Sequence, residues 1–474
     1  MRSPIIIACI FMAIGPSKRL WADDQTDTVA LFRKSVDSVA FITASVKGGV
    51  AMASGTLIDR TKRYVLTNYH ALDDADKIHV QFPLHQKDET IVTDKKKYVD
   101  RVSTGEAIRG TLVYRDESRD LAIIQVDRLP DTAKEMPLAK GSPALRESTF
   151  SIGSPGAVNQ LFSFTDSSVR AVGNEDLRIG GNDEILRIPC RMVIATNAMA
   201  PGDSGGPLIN KQGELVAVSE TGGVSASWMP VFIDVTEVRG FLADMDDWLK
   251  DPGKIVQKKV IDSVLFMIVP DKDRPHAASG ALVNVENRYV LTANHVLGAA
   301  DEVRAQFPTH AKDGSIETAG KLYLDAAAAG QAIRGNVVHR DPKRDLAIVQ
   351  LEKLPPTARP IRLAKASPEV GEAEWTFGSM AVRVFGITEG KVRAVGNEEL
   401  VVQGGEKDIR IKCKTVTVTN ALGPRDSGGP VVNRFGELIA ISEIALNQCV
   451  DVTEVRATLA DLKKRLAEPK AKGK

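Results

Sequence analysis

The chain has 474 residues, more than one hydrophobic core normally organises, so length alone predicts two or more domains. Its 62 basic and 61 acidic residues leave a formal net charge of +1, which excludes the sustained positive field of a nucleic-acid binder. An apolar fraction of 43% suits packed globular domains, and the local basic clusters, at residues 94–98 and in the C-terminal tail, read as solvated surface.

At the N-terminus Arg2 precedes the apolar run PIIIACIFMAIG at residues 4–15, and PSKRLWADDQ follows. The run is too short to span a bilayer and fits the core of a secretory signal, so residues 1–22 are expected to be a signal peptide cleaved after Ala22. Export to the periplasm or medium follows, with no stable membrane insertion of the mature chain. Cys190, Cys413 and Cys449 would remain, too few for a disulfide framework. They are expected to be buried thiols, and whether Cys413 pairs with Cys449 is left open by the sequence.

Aligned with itself, the chain repeats. RYVLTNYHAL at residue 63 returns as RYVLTANHVL at residue 288, RDLAIIQV as RDLAIVQL, and VRAVGNEDL as VRAVGNEEL. Two copies of one domain are expected, at residues 30–250 and 257–466, with a linker at 251–256 where Pro and Gly interrupt the pattern, and a basic tail at 467–474. Within each copy the short runs RYVLTN, KIHVQF, TLVYR, LAIIQV and ELVAVS, rich in β-branched residues and separated by turn signals, predict an all-β domain. A helix closes each copy, with Val238, Phe241, Leu242, Met245 and Leu249 on one face in the first, and Val455, Leu459, Leu462 and Leu466 in the second.

Breaking an amide through a serine needs a nucleophilic hydroxyl, a neutral imidazole to take its proton, a carboxylate to hold that imidazole, and donors for the oxyanion. Copy one offers His70, then Asp120 fifty positions on, then Ser204 in GDSGGP. Copy two repeats the spacing with His295, Asp345 and Ser427. The order His, Asp, Ser excludes the subtilisin and α/β-hydrolase arrangements. No metal or cofactor is expected, since His79, His85, His276, His310 and His339 show no ligand spacing and read as structural or surface residues.

With LTNYH, RDLAI, SIGSPG and NAMAPGDSGGPL in place, both copies resemble the chymotrypsin-like serine proteases, and within them the bacterial trypsin-like, Deg-type branch. The resemblance implies tandem domains of two β-barrels each, with the triad in the cleft between barrels. It implies an oxyanion hole from the backbone N–H groups of Gly202 and Ser204, and of Arg425 and Ser427 in copy two. It also implies that Ser219 supports the Asp and borders the substrate cleft, with Ser442 as the substrate-binding residue of the repeat. Ala198 and Ala421 occupy the position that sets pocket charge in trypsins, which points to small or medium apolar side chains in the primary pocket.

Three departures from the branch stand out. A second protease-like domain takes the place of the usual PDZ domain, and no Ile-Val-Gly-Gly start is present. Asp203 replaces the usual Asn and is expected to need a partner, for which Arg170 is the candidate. The reading is an exported serine endopeptidase acting on exposed or unfolded polypeptide, copy one the main site and copy two, with Arg425 in place of Gly202, impaired or regulatory. A non-catalytic peptide-binding scaffold, or an esterase or acyl-transfer enzyme on the same triad, is the alternative.

Overall fold

The structure is a computed structural model that describes residues 18–46, 49–72, 75, 77–180, 185–220, 230–271, 275–379, 383–402, 409–423, 425–443 and 447–467. Most of the expected signal segment and nearly all of the basic tail lie outside these residues; Ala22 falls in helix α1 (Lys18–Ser35). The chain divides into two compact units, Met1–Met245 and Asp246–Lys474.

In the first unit, strands β1 (Val39–Val46), β2 (Gly49–Asp59), β3 (Tyr64–Asn68), β4 (Lys77–Gln81), β5 (Ile108–Asp116) and β6 (Leu121–Val126) close an antiparallel barrel in the order β1-β2-β3-β6-β5-β4. A second barrel is formed by β7 (Ser148–Gly153), β8 (Ser163–Gly180), β9 (Ile185–Ala195), β10 (Pro207–Ile209), β11 (Leu215–Glu220) and β12 (Val231–Asp234). Closure removes the sheet edges that would otherwise invite pairing with another chain. The second unit repeats this with β13 (Val264–Val269), β14 (His276–Asn284), β15 (Tyr289–Ala293), β16 (Glu302–Gln306), β17 (Ile333–Asp341) and β18 (Leu346–Leu351). Its second barrel runs through β19 (Ala373–Gly378), β20 (Gly386–Val402), β21 (Ile409–Val418), β22 (Pro430–Asn433), β23 (Leu438–Ser442) and β24 (Gln448–Asp451). Fold and repeat are thus those expected: four six-stranded barrels, two per copy.

Period-two alternation sorts the side chains. Ala40, Ile42 and Ala44 of β1 join Leu57, Val65, Val80 and Ile124 in one core cluster, whereas Phe41 between them meets Tyr98 edge-on at 6.4 Å. Tyr98 belongs to a short helix, α2 (Lys95–Ser103), and packs in turn on Phe162 at 5.6 Å, which joins the two barrels of the unit. Its hydroxyl accepts from Leu84 N and donates to Val92 O, each at 2.8 Å, so the buried phenol is satisfied.

Helix α3 (Val235–Lys250) closes the first copy by burying Val238, Phe241, Met245 and Trp248. Leu249, expected on that face, is 44% exposed, because it lies in the last turn at the edge of the stripe formed by 238, 241, 245 and 248, about 60° from its centre. The next helix, α4 (Pro252–Val260), begins within the expected linker at 251–256. Asp251 caps it by accepting from Lys254 N at 3.0 Å, and Pro252 sits in the first turn, where the missing N–H costs no hydrogen bond. The Pro-Gly pair therefore starts a helix, and Val256 and Val260 enter the core of the second unit. Helix α5 (Gly320–Ala328) repeats α2, and α6 (Val452–Ala467) buries Val455, Thr458 and Leu462 while Leu466 stands 62% exposed.

Phe241 has no exposure and its ring lies 5.1 Å from that of Tyr114 on β5. Phe241→Ala is expected to cost about 3–5 kcal/mol, read as a fall in the urea midpoint; a loss no larger than that of Leu249→Ala would contradict this packing account.

Candidate active site

His70 stands two residues beyond the end of β3, and Asp120 immediately precedes β6. Asp120 is fully buried and adopts φ +51°, a left-handed conformation that Asp tolerates better than most residues. Its carbonyl accepts from Tyr69 N at 3.1 Å and Asn68 Nδ2 at 3.0 Å, which fixes the turn. The carboxylate then grips His70 twice: Oδ1 accepts from the His70 backbone N at 2.7 Å, and Oδ2 from the ring Nδ1 at 2.6 Å. Because Nδ1–H donates its hydrogen bond to the carboxylate, the lone pair of a neutral ring is left on Nε2. Copy two repeats the arrangement, with His295 N and Nδ1 at 2.8 and 2.6 Å from Asp345, and Asp345 at φ +53°.

Ser204 comes from the other barrel, in the loop leading into β10. Ser54 of β2 ties that loop across: its N donates to Ser204 O at 2.8 Å, and its hydroxyl donates to Gly202 O at 2.9 Å while accepting from Ser154 N at 3.0 Å. Two glycines are dictated by this geometry. Gly205 has φ +84°, and a Cβ there would strike Thr67 Oγ1 and Ser54 O. Gly202 has φ +106°, and a Cβ would lie 2.5 Å from Ser154 O and 2.7 Å from Gly156 N. Gly156 N donates to Pro201 O at 2.6 Å, so in a trans peptide the Gly202 N–H points the opposite way.

In the second copy Ser279 takes the place of Ser54, its N donating to Ser427 O at 3.1 Å and its hydroxyl to Arg425 O at 2.9 Å. The carbonyl at position 425 is thus held as that of Gly202 is. Ser427 Oγ and His295 Nε2 are both buried, and neither has a hydrogen-bond partner among the described residues.

Several expected placements need correction. Arg170 is exposed and makes no ion pair with Asp203 among the described residues; Asp203 Oδ2 accepts instead from Ala200 N at 2.8 Å. A backbone donor offsets only part of the desolvation, so burial pushes the carboxyl up to about 6. Ser442, expected to bind substrate, turns its hydroxyl to Asp426 O at 2.5 Å and Gly429 O at 3.1 Å, reinforcing the serine loop; Ser219 is buried at the matching position. Ala198 and Ala421 are exposed on the loops leading to each serine. The expected Cys413–Cys449 option is not taken: Cys190, Cys413 and Cys449 are free buried thiols.

The raised Asp203 pKa carries a sign. The folded protein binds this proton more tightly than the unfolded chain, so the associated stability is present below about pH 4 and is lost as pH rises through 6. Asp203→Asn is therefore expected to stabilise by about 2 kcal/mol at pH 8 and by little at pH 4. Urea unfolding at the two pH values checks this, and an equal gain at both would show that ionisation is not the cause.

Sequence reasoning missed two features that occur in both copies. Arg119, beside Asp120, donates to Asp116 at 2.7 Å, Asp244 at 2.6 Å and Glu237 at 3.2 Å, which fastens the Asp120 turn to α3. Arg344 does the same with Asp341, Asp461 and Glu454 at 2.6, 2.9 and 2.8 Å. The repeated Arg-Asp pair was the available signal. The other feature is a second buried carboxylate beside each histidine, Glu220 Oε1 3.7 Å from His70 Nδ1 and Glu443 Oε2 3.1 Å from His295 Nδ1. His70, Asp120 and Glu220, like His295, Asp345 and Glu443, offer ligand atoms within 4.8 Å of one another. A cation there would have to displace the Nδ1 proton from its 2.6 Å bond to Asp.

A family model described as the trypsin-like peptidase domain matches this chain twice, over residues 53–218 and 278–441. The chain belongs to the trypsin-like peptidase family. Relatives include a probable periplasmic serine protease do/HhoA-like from Haemophilus influenzae, 31% identical over 35% of this chain and 30% of its own length. Another is the periplasmic serine endoprotease DegP of Salmonella typhimurium, 29% identical over 36% of this chain and 30% of its own. This chain thus spans about 30% of the length of these curated relatives. Among the described residues no helix is long and apolar enough to cross a membrane.

Proposed function

We propose that the protein is an exported serine endopeptidase that hydrolyses exposed or unfolded polypeptide, with Ser204 as nucleophile, His70 as general base and Asp120 as the group that orients it. The observation that carries this reading is the double grip of Asp120 on His70, at 2.7 and 2.6 Å, opposite a serine loop that Ser54 bonds to the same barrel. A peptide-binding scaffold has no need for a carboxylate in a left-handed turn holding an imidazole in one tautomer. The relatives named above as periplasmic serine proteases support both the reaction and the compartment.

In this mechanism the Ser204 hydroxyl attacks the scissile carbonyl as His70 Nε2 takes its proton. Asp120 stabilises the imidazolium through the Nδ1–H bond, and the N–H groups of Gly202 and Ser204 receive the oxyanion. The imidazolium then returns the proton to the leaving amine. The second copy, with Arg425 at the oxyanion position, contributes little turnover. Incubation with a denatured, fluorophore-labelled protein and with a small ester separates peptidase from esterase: cleavage of the polypeptide that disappears in His70→Ala is expected, and ester hydrolysis alone would favour the esterase reading.

A further inference from the structure

Each histidine faces two carboxylates, although the proposed mechanism uses one. The single Nδ1 proton of His295 is committed to Asp345 Oδ2 at 2.6 Å. Glu443 Oε2, only 3.1 Å from the same nitrogen, therefore acts mainly through its charge. Glu443 is 1% exposed and Asp345 2%, so solvent screens this field little. In the first copy the corresponding separation is 3.7 Å.

We propose that Glu443 is a positioning residue that keeps His295 in its charged, Nε2-protonated form, and so withholds the general base from Ser427. The inference rests on reading His295, Asp345 and Ser427 as a triad. An imidazolium has no lone pair on Nε2, so it cannot accept the Ser427 proton.

The surrounding groups reinforce the arrangement. Asp345 reaches His295 from the turn before β18, Glu443 from the residue after β23, and Ser427 from the loop before β22. The thiols of Cys413 on β21 and Cys449 on β24 also lie near Glu443; both are pushed up by burial and stay neutral. The nearby cation, Arg344, is engaged by Asp341, Glu454 and Asp461. Burial alone would push the His295 imidazole down, but its bond to Asp345 and the charges of Glu443 and Asp345 hold it up at about 10. Burial and the charge of Asp345 push the Glu443 carboxyl up, against its charged form, and the adjacent His295 imidazolium opposes that push.

The test reads the histidine directly and does not require peptidase activity. In Ser204→Ala protein carrying imidazole-labelled histidine, the His295 resonance is assigned by its loss in His295→Gln and titrated by NMR. Glu443→Gln is expected to lower the His295 midpoint by about two pH units or more. It is also expected to speed fluorophosphonate labelling of Ser427 at pH 7 by about tenfold or more. Should Glu443→Gln fail to fold, Glu443→Met, which removes the same charge, is expected to behave alike. A His295 midpoint near that of a free imidazole in the parent, or one unmoved by either substitution, overturns the proposal. A lowered midpoint without faster labelling overturns the claim that this charge restrains Ser427. Neither result depends on Ser204 catalysis, so failure here remains distinct from failure of the peptidase reading.

Discussion

Replacing Ser204 with alanine is expected to remove nearly all hydrolysis of unfolded polypeptide, a loss of about four to six powers of ten in kcat. The size follows from the geometry: the alanine leaves the His70–Asp120 pair intact at 2.6 Å but gives it no hydroxyl to activate. His70→Ala is expected to cost nearly as much, and the double variant no more than either, because nucleophile and base act as a unit. Multiplying losses in the double variant would indicate independent roles. Residual cleavage of Ser204→Ala above about one part in a hundred would point to Ser427 as a second working nucleophile.

Gly202→Arg, which gives copy one the residue of copy two, is expected to lower turnover by about a hundred- to a thousandfold. At φ +106° any side chain is strained by roughly 1–3 kcal/mol, and the added Cβ would overlap Ser154 O and Gly156 N, at 2.5 and 2.7 Å. Relief requires the loop to move, which displaces the N–H proposed to receive the oxyanion. The signature is a fall in kcat with little change in KM, because the oxyanion forms only in the transition state. Gly202→Ala is expected to share most of the loss, since the clash begins at Cβ. An alanine variant with parental kcat would mean that the arginine side chain, and not the backbone, explains any defect.

Much of the candidate site is legible in the sequence because its chemistry demands residue types that stand out. A His ending one strand, an Asp opening another and a Ser amid glycines can be found twice at one spacing without coordinates. The barrels are legible too, from short β-branched runs and turn signals. What escaped has physical reasons. Helix α2 buries only Lys95 and Tyr98 of its nine residues, so it carries almost no apolar period. Asp203 is served by the backbone N–H of Ala200, a donor every residue but proline possesses and none advertises. Glu220 and Glu443 end the strings VAVSE and IAISE, where an acidic residue reads as the start of a surface loop; only the closed barrel reveals that they turn inward. Helix α4 is not legible because Pro and Gly mark helix starts as readily as breaks, and the buried Val256 and Val260 that distinguish the two cases lie after them.

The most direct measurement of the central claim is fluorophosphonate labelling of the purified full chain at pH 7, followed by peptide mapping of both serines over time. The account predicts rapid, stoichiometric modification of Ser204, abolished in His70→Ala, with Ser427 modified at least about a hundredfold more slowly. Absence of label at Ser204, or modification of Ser427 at a comparable rate, would contradict it.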